Sequence, residues 1–523
     1  MEVSKFVKDV IGEENIKNLE LEGSKIIIYT NNQEIIKEQE KYVKEIVEKI
    51  KKRIEIRATE DLLVNEEEAK KKILELAPKE AGVKDIYFQR ESSIVYISAE
   101  KPGLIIGKGA ELVKKIKKEI FWTPKIERIP ALESKIIDTL RKIFLAEVQF
   151  RKKFLNDVGK KIFKSIDEKR NWVRIIPLGG YGEVGRSCTL LETPKSKILI
   201  DCGVNVGNLK EFYPFFNTDE FDYNIIDAIV VSHAHLDHIG AIPALYERGY
   251  DGPLYMTEPT LHLATLLWLD FIDVMQRNAM VSLYTINGVK EAIRRAITLK
   301  YEEVCDISSD VKLTFYNAGH ILGSALCHFH IGEGLHNLIY ALDQKFGKSR
   351  LLDPAHTNFP RLETLIIETT YGSRDDIMPP RSQVEKEIMD IINKTMERNG
   401  IVLIPTFSVE RAQELMAILY LNNFQYPVYL DGMIWEANEI FSAYPDYFGK
   451  SMRKLIMKEG KNPFTSSMFK RISSIQEREK AWQDKPCIIM STSGMLTGGP
   501  AIEHLKALAE DKNNTLIFIG YQA

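Results

Sequence analysis

Three histidines and an aspartate stand within six residues in the segment His233-Ala234-His235-Leu236-Asp237-His238. An apolar run at residues 228–231 precedes them, and a helix is predicted to begin near Ala241, which places the segment on a strand-end loop. Imidazole nitrogens and carboxylate oxygens bind zinc, and a loop anchored to a sheet holds such ligands in fixed geometry. Capping of the following helix would explain Asp237, but not three histidines in a chain that has 10 in 523 residues. The segment therefore predicts a metal site.

A second candidate site is a glycine loop, Gly107-Lys108-Gly109-Ala110, between two predicted helical segments. Such a loop lets backbone amides and helix dipoles approach phosphate groups without obstruction by side chains. Ala110 disfavours the positive φ that a glycine would adopt there, which weakens the expected grip. Taken alone, the loop is equally compatible with an ordinary helix–turn–helix, so its surroundings must decide.

Those surroundings are basic. Residues 101–170 contain 19 Lys and Arg against 9 Asp and Glu, whereas the whole chain has a net charge of −3. A basic block beside an acidic body favours a surface that binds a polyanion. A single cluster within the block, such as Lys114, Lys115, Lys117 and Lys118, is more simply the solvated face of an amphipathic helix.

The elements that position these sites follow from the hydrophobic pattern. We predict strands at 25–30 and 53–58 with a helix at 33–52 between them, then a helix at 66–76 and a hairpin formed by residues 85–90 and 94–99. A helix at 111–121 and a strand at 125–129 follow the glycine loop. From Trp172 onward, short apolar strands alternate with glycine turns and helices, which is typical of a layered α/β sandwich.

Composition excludes several classes of protein. The 44% hydrophobic and 28% charged residues are typical of a globular chain, and the first residues lack the apolar stretch of a secretory signal. No run of about 18 apolar residues predicts a membrane span. The five cysteines form no CxxC pair, so neither a disulfide framework nor a thiolate zinc site is indicated. We expect a cytoplasmic protein with no membrane partner.

Residues 71–145 resemble a KH domain, in which a GXXG loop clamps a single-stranded backbone. Here Ala110 stands in place of the fourth glycine. The resemblance implies that Gly107, Lys108 and Gly109 contact RNA. Residues 1–70 resemble a second KH-like unit without a glycine loop, and residues 146–171 are predicted to form a basic helical connector.

The histidine segment resembles the signature of the metallo-β-lactamase superfamily, and further landmarks follow in order. Ile200-Asp201-Cys202-Gly203 is similar to the strand end whose aspartate braces the metal loop, and Gly319-His320-Ile321 to the next ligand site. Asp343 matches the aspartate that bridges two metals, although Leu342 and Gln344 depart from the usual TGDF motif. The resemblance implies two zinc ions, the first held by His233, His235 and His320, the second by Asp237 and His238, with Asp343 shared.

Three later motifs resemble the β-CASP domain of nucleic-acid-processing members. They are the acidic motif Ile367-Glu368-Thr369, the PxFxxGRxQE-like turn in which Glu410 replaces glycine before Arg411, and the glycine-rich loop Thr492-Ser493-Gly494. The combination is similar to the archaeal CPSF-like ribonuclease family over essentially the whole chain. It implies that Asp237 and Glu368 are catalytic, Glu368 by orienting a histidine near the leaving group. It also implies that Arg374, Arg411 and Ser493 contact RNA. For the two arginines, an ion pair on a helix surface is an equal alternative.

The implied fold is a metallo-β-lactamase αββα sandwich with a β-CASP α/β domain, preceded by two α+β KH-like domains. The expected bounds are 1–70, 71–145, the connector 146–171, 172–375 for the sandwich and 376–523 for the β-CASP domain. In the family the chain returns after the last β-CASP strand, expected here at 519–523, to complete the sandwich with two further histidines. We therefore expect a chain that is incomplete at its carboxyl end, or one that a second polypeptide completes.

The implied function is zinc-dependent cleavage of single-stranded RNA, of the mRNA 3′-end processing or transcription termination type. The resemblance also implies a homodimer, the assembly expected for full-length members of the family. The cleavage would be endonucleolytic and leave a 5′-phosphate and a 3′-hydroxyl, and 5′-to-3′ exonuclease activity is also compatible with the resemblance. An RNA-binding subunit with a catalytically silent metal site is the alternative hypothesis. A small-molecule hydrolase of the same superfamily is disfavoured by the KH-like units.

The remaining histidines are interpreted without chemistry. His328 and His330 are expected to share one face of a strand beside the metal layer, and Cys202 to be a small buried residue. His262, His336, His356 and His504 are isolated in the sequence. We expect them at the surface or as caps.

Overall fold

Two small α+β modules of one topology make up the amino-terminal part of the chain, whose computed structural model describes residues 2–168, 170–496 and 498–520. The first module comprises α1 (Glu2–Ile11), β1 (Asn18–Glu22), β2 (Lys25–Thr30), α2 (Gln33–Lys37), α3 (Gln39–Ile50) and β3 (Arg53–Ala58). Strand β2 pairs antiparallel with β1 and parallel with β3. The helix predicted at 33–52 is two helices, because Glu38 leaves helical geometry between them with φ −102° and ψ 16°.

The second module repeats this arrangement. It comprises α4 (Glu66–Leu76), β4 (Val83–Gln89), β5 (Ile94–Ala99), α5 (Pro102–Ile106), α6 (Glu111–Ile120) and β6 (Thr123–Arg128). The predicted hairpin is present, since β5 pairs antiparallel with β4, and its other edge pairs parallel with β6. A separate buried apolar cluster fills each module.

Helices α7 (Lys135–Ala146) and α8 (Val148–Ile162) follow. The residues predicted as a connector include α8, which packs on β1 of the first module. The backbone N–H of Gly23 donates to the carbonyl of Leu155 at 2.9 Å. A side chain at Gly159 would meet Leu21 Cβ at 2.4 Å, so the glycine permits this close approach.

Two mixed sheets form the next part. The first sheet and its helices comprise β7 (Arg174–Gly179), β8 (Cys188–Glu192), β9 (Lys197–Ile200), β10 (Ala228–Val230), α9 (Leu236–Ile239), α10 (Ile242–Glu247), β11 (Leu254–Met256), α11 (Glu258–Arg277), α12 (Ile286–Arg295) and β12 (Ala296–Thr298). The second sheet comprises β13 (Val304–Asp306), β14 (Val311–Asn317), β15 (Ala325–Ile331), β16 (His336–Ala341) and β17 (Thr364–Ile367). Strands run β12-β11-β10-β9-β8-β7 in the first sheet and in chain order in the second.

A parallel sheet with alternating helices completes the described chain. Its elements are α13 (Arg381–Glu397), β18 (Ile401–Pro405), α14 (Arg411–Leu421), β19 (Val428–Asp431), α15 (Ile434–Ala443), α16 (Lys450–Met457), β20 (Phe469–Arg471), α17 (Ile475–Gln483), β21 (Cys487–Ser491), α18 (Pro500–Leu508) and β22 (Thr515–Leu516). The strand order is β20-β19-β21-β18-β22, and β18 is buried along its whole length, as expected for a parallel sheet.

By its internal contacts the chain divides into two units. One is Met1–Ala131, Arg141–Lys169 and Cys305–Asp310, and the other is Leu132–Leu140, Arg170–Val304 and Val311–Ala523. The predicted fold class, two α+β modules followed by a two-sheet sandwich and an α/β domain, is confirmed. Of the final strand expected at 519–523, residues 521–523 lie outside the described residues. Within the described chain, no helix combines the length and the apolar character needed to cross a membrane.

Candidate metal centre

The histidine segment lies where β10 ends, and backbone hydrogen bonds hold it there. The carbonyls of Leu236, Asp237 and His238 accept from the backbone N–H groups of Val204, Ser187 and Cys202 at 3.0, 2.8 and 2.7 Å. The loop is thus tied both to the turn after β9 and to the residue before β8. Its ligands project from a rigid backbone, as the strand-end position predicts.

Asp201 braces this loop from beneath. Its carboxylate is fully buried and accepts from the Ser232 N–H at 2.8 Å, the Ser232 hydroxyl at 2.7 Å and His238 Nδ1 at 2.8 Å. The bond to Nδ1 sets the tautomer and directs Nε2 of His238 toward the other ligands, which is the usual role of such a carboxylate beside a metal-binding imidazole.

The first ligand group comprises His233, His235, His320 and Asp343. Nδ1 of His235 lies 3.1 Å from Nε2 of His233 and 3.2 Å from Nε2 of His320. Oδ2 of Asp343 lies 3.4, 4.0 and 3.3 Å from the nitrogens of His233, His235 and His320. A tetrahedral zinc with ligand bonds of about 2.0–2.1 Å separates its ligand atoms by about 3.3–3.4 Å, so the four atoms fit such an ion.

The second group comprises Asp237, His238 and the same Asp343. Nε2 of His238 lies 3.8 Å from Oδ2 of Asp237 and 3.8 Å from Oδ2 of Asp343. One carboxylate oxygen therefore belongs to both groups, which is the sharing that the resemblance implied. The described residues offer this second group three ligand atoms.

Electrostatics favours a cation at this position. Burial, together with the charge of His233, lowers the pKa of His320 to about 3 and that of His235 well below its usual range. Both rings are thus in the neutral form that binds metal. Burial would also lower the pKa of His238, but the carboxylates of Asp237 and Asp201 raise it to about 10. This much negative charge around one imidazole is the environment in which a divalent cation is stable.

Glu368, Arg374 and Arg411 lie outside both ligand groups. Glu368 follows β17, and β17 pairs in parallel with β16, the strand that precedes Asp343. The Glu368 carboxylate accepts from the Thr370 N–H at 2.7 Å. Arg374 is exposed in the loop after β17. Arg411 begins α14, and its positive charge contributes to the lowered pKa of His320.

Glu410, at the position where the family motif has glycine, ties α14 to a ligand loop. Its backbone is in an unusual conformation, with φ 71° and ψ −56°, and the N–H of Arg411 donates to the carbonyl of Val409 at 3.0 Å across this tight turn. The carboxylate is 5% exposed and accepts from the backbone N–H of Leu322, two residues after His320. Burial and the charge of Glu414 raise the pKa of Glu410 to about 8.

The glycine loop of the second module separates α5 from α6. Gly107 and Gly109 have φ values of 66° and 65°, and Ala110 also adopts positive φ, at 58°. A Cβ at Gly109 would meet nothing within 4 Å, so glycine is required there by conformation and not by crowding. Lys108 is exposed, and the loop presents backbone amides at the start of α6.

The glycine-rich loop after β21 is also formed, although its Thr497 lies outside the described residues. Ser493 follows a cis peptide bond, and its N–H donates to the carbonyl of Gly498 at 3.3 Å. The loop ends at Gly499, with φ 73°, where α18 begins.

The interpretation of the lysine cluster on α6 as wholly solvated is wrong for Lys117. This side chain is 6% exposed, and Nζ donates to the carbonyl of Ile56 at 2.7 Å and to Oε1 of Gln39 at 2.8 Å. Burial lowers the pKa of Lys117 to about 8. Lys117 therefore joins the two modules, and part of the basic block is structural.

Two of the isolated histidines are buried, which corrects the expected surface or capping role. His504 is fully buried, with Nε2 bonded to Oδ2 of Asp431 at 2.8 Å and Nδ1 accepting from the Trp482 indole at 2.8 Å. His262 is 5% exposed and bonds to the Tyr444 hydroxyl. The reason is long-range pairing with polar partners that the sequence spacing does not reveal.

His328 and His330 lie on β15 and share a partner, as expected for two histidines on one face of a strand. His328 and His330 both bond to Oδ1 of Asn337, at 3.2 and 2.9 Å, and belong to neither ligand group. Cys202 is fully buried, and all five cysteines are free thiols.

Gly203 is a site residue that the sequence pattern did not single out. A Cβ there would lie 1.7 Å from the carbonyl oxygen of Asp237 and 2.6 Å from the N of His238. We expect Gly203→Ala to displace the metal loop, lower the affinity for a divalent metal at least about tenfold and lower the free energy of unfolding by about 1–3 kcal/mol. Zinc titration and urea unfolding measure the two effects. Gly207→Ala is the matched control, because a Cβ at Gly207 meets only Asn205 Oδ1 at 3.5 Å. An equal loss in both variants would contradict this role of Gly203.

Comparison with known families agrees with this arrangement. Residues 1–63 match the KH domain of transcription termination factor FttA, and residues 70–121 match a general KH domain. Residues 190–369 match the metallo-beta-lactamase superfamily domain, and residues 412–523 match the Beta-Casp domain. The metallo-β-lactamase fold implies binding of divalent metal, which the two His/Asp groups fit.

Whole-chain relatives extend the similarity. Transcription termination factor FttA of Methanocaldococcus jannaschii is 46% identical over 99% of this chain and 82% of that protein. The FttA proteins of Methanothermobacter thermautotrophicus and Pyrococcus abyssi are 46% and 45% identical over 97% and 100% of this chain, and 81% and 84% of their own lengths. A solved protein of unknown function from Enterococcus faecalis V583 aligns with 68% of this chain and 88% of its own, at 12% identity and a TM-score of 0.41, too low to support an argument. With two KH modules, a metallo-β-lactamase domain and a β-CASP domain in one polypeptide, the chain belongs to the archaeal FttA family of CPSF-like, termination-related proteins.

Proposed function

We propose that this chain is a zinc-dependent ribonuclease that cleaves single-stranded RNA in transcription termination or mRNA 3′-end formation. The observation that carries the proposal is the pair of ligand groups that share Oδ2 of Asp343. A polypeptide that combines such a site with a KH glycine loop joins a hydrolytic centre to a module that holds unpaired RNA. Endonucleolytic cleavage is the primary activity proposed, with 5′-to-3′ exonuclease activity as a second use of the same site.

The proposed metal ligands are those that the family resemblance of the sequence implies. His233, His235 and His320 would hold one zinc, Asp237 and His238 a second, and Asp343 both. Two zinc ions so placed would lower the pKa of a water molecule and neutralise charge that develops on a phosphodiester. The chain's own contribution is to keep the imidazoles of His235 and His320 neutral through burial and to fix His238 through Asp201.

The proposed RNA contacts surround this centre and the glycine loop. Arg411 places positive charge beside His320, where a phosphate of the substrate would lie, and Arg374 and Ser493 are proposed to contact neighbouring phosphates. Glu368 is proposed to orient the group that donates a proton to the leaving oxygen. Gly107, Lys108 and Gly109 are proposed to hold the RNA backbone at the glycine loop.

The domain bounds are likewise proposed at 1–70, 71–145, 172–375 and 376–523, with 146–171 between the second and third. The bounds are supported by the order of the sheets along the chain. A homodimer is proposed as the assembly, on the resemblance to the family.

Cleavage of a labelled, unstructured RNA tests the proposed function. We expect the zinc-loaded chain to yield products with a 5′-phosphate and a 3′-hydroxyl, EDTA to abolish cleavage, and added zinc to restore it. RNA carrying the label internally or at either end separates endonucleolytic cuts from degradation that begins at the 5′ end. Zinc content per chain is measured on the same sample.

One bound zinc per chain with RNA binding but no cleavage would contradict the enzyme and support a silent RNA-binding subunit. A chain that neither binds nor cleaves RNA but hydrolyses a small ester would contradict both readings. Lys108→Ala separates the two sites, because it should weaken RNA binding and its salt dependence without changing zinc content.

A further inference from the structure

The segment that follows Asp343 is fixed to the His320 loop. The backbone N–H of Lys345 donates to the carbonyl of Ala318 at 2.9 Å, and its own carbonyl accepts from the N–H of Ala355 at 2.8 Å. Gly319, the residue before His320, packs so closely that a Cβ there would lie 2.9 Å from the Lys345 carbonyl oxygen. Residues 343–346 thus have a defined position beside the metal centre.

Phe346, the next residue, turns its ring to solvent. At 58% it is the most exposed aromatic side chain among the residues that the structure describes. A Cβ on the following Gly347 would meet nothing within 4 Å, so the segment borders open space there. A phenyl ring exposed on a rigidly held segment gains nothing for folding, but it offers a flat apolar surface for another flat group.

Basic side chains lie near Lys345, the residue before Phe346. The charges of Arg381 and Arg411 act on Lys345, and the opposite charges of Glu414 and Glu410 act on it as well. Arg381 is neutralised by Glu385, at 3.0 Å, and by Glu414. In the described part of the chain, neither Lys345 nor Arg411 has a carboxylate within 4.0 Å. Each of these two cations can therefore attract an added anion.

We propose that Lys345 and Phe346 form a nucleotide-binding subsite next to the metal centre, where the ring of Phe346 stacks on an unpaired base and Lys345, with Arg411, binds its phosphate. The ligand class is single-stranded RNA, so the inference rests on the proposed function. It deepens that function by assigning the base that flanks the cleaved bond to an aromatic platform, which explains how one strand would be held at the centre without sequence-specific contacts.

Binding of a short fluorescent RNA to the full chain tests the subsite. The measurement is made without metal, to prevent cleavage, and in a Gly109→Asp background, to reduce binding by the glycine loop. We expect Phe346→Ala to weaken binding about 5- to 150-fold, since stacking contributes that much per base, and Phe346→Trp to restore it. Lys345→Met should lower the slope of log affinity against log salt by about 0.7, as expected for one lost phosphate contact with a single strand.

An abasic nucleotide moved along the RNA locates the contact. At one position it should weaken binding to the unsubstituted chain as much as Phe346→Ala does, and it should have no added effect on that variant. Tyr426→Ala is the control for loss of an exposed ring, because Tyr426 lies between α14 and β19 and packs on Phe424 at 5.5 Å. We expect that variant to bind normally.

The outcomes distinguish this subsite from the proposed function. Normal RNA cleavage together with unchanged binding by Phe346→Ala and Lys345→Met would overturn the subsite alone. Absence of cleavage by the zinc-loaded chain, with binding that still depends on Phe346 and on one base, would overturn the ribonuclease and leave the subsite standing. A loss in Phe346→Ala that no abasic position reproduces would also overturn the stacking contact.

Discussion

A chain carrying Asp343→Ala is expected to lose zinc from both positions and to cleave RNA at least about a hundredfold more slowly. The reason is that Oδ2 of Asp343 lies within 4.0 Å of a ligand nitrogen of His233, His235, His320 and His238, so one substitution removes a ligand from each group. Substitutions that only reorient a ligand already cost 10- to 100-fold, and removal of a shared ligand should cost more. Zinc content after gel filtration and the cleavage rate are the two measurements.

Two further variants are compared with Asp343→Ala, namely His235→Ala and His336→Ala. His235 belongs to the first group only, so its loss should remove one zinc and abolish cleavage while RNA affinity stays within about twofold, since the KH glycine loop lies elsewhere in the chain. His336 bonds to the Thr364 hydroxyl and to neither group, so His336→Ala should keep both zinc ions. Two retained zinc ions in Asp343→Ala, or an equal loss of RNA affinity in His235→Ala, would show that the proposed division between metal centre and RNA grip is wrong.

Arg57→Met is expected to lower the free energy of unfolding of the KH-containing unit by about 3–5 kcal/mol. The Arg57 guanidinium is fully buried and bonds to both carboxylate oxygens of Glu22, at 2.6 and 2.8 Å, and to Glu55 at 2.6 Å. It also donates to the carbonyl of Ser92 in the second module at 3.3 Å. Removing it leaves the mostly buried Glu22 carboxylate without an ion-pair partner, whereas Glu55 keeps Lys25 at 3.0 Å. An unpaired buried charge is the costly result of breaking a buried ion pair.

Denaturation of the full chain, with hydrogen exchange to assign the transition to this unit, measures the loss. Arg90→Met is the matched control, because Arg90 pairs with Glu66 at the surface and such a pair contributes about 0–1 kcal/mol. A loss in Arg57→Met no larger than in Arg90→Met would contradict the account.

The same cluster predicts how stability varies with pH. Burial would raise the pKa values of Glu22 and Glu55, but the charge of Arg57 overrides it, and both are lowered. Groups with lowered pKa stabilise the folded state above their unfolded value, near 4.3, and that contribution is lost as pH falls toward the folded value. The unsubstituted chain should therefore lose stability steeply below about pH 4.3, and Arg57→Met should show a shallower decline.

The metal loop could be predicted from the sequence because its chemistry is local. His233, His235, Asp237 and His238 share one strand-end loop, so spacing alone places them together. His320 and Asp343 come from a different sheet, and only the family resemblance assigned them to the same centre before the structure placed them within reach. The tandem modules were similarly predictable, since each consists of short elements with clear periodicity.

Partners far apart in the sequence could not be predicted. The sequence pattern predicts that Lys117 is an exposed lysine on an amphipathic helix. In the structure it bonds to the carbonyl of Ile56, which becomes its neighbour only after both modules have folded. His504 is buried and bonds to Asp431, which is 73 residues away in the sequence. Periodicity reports which face of a helix is apolar, but it does not report which polar group on that face finds a buried partner.

The repeated topology of the two KH modules gives the molecule an internal reference. Both have a central strand paired antiparallel on one edge and parallel on the other, but the turn between α2 and α3 at Glu38 lacks the glycines that open the turn at Gly107. Under the proposed binding at the glycine loop, amide signals from the first module should report only general effects of ionic strength and crowding when RNA is added. Subtracting them from the signals of the second module isolates the local effect of the bound strand.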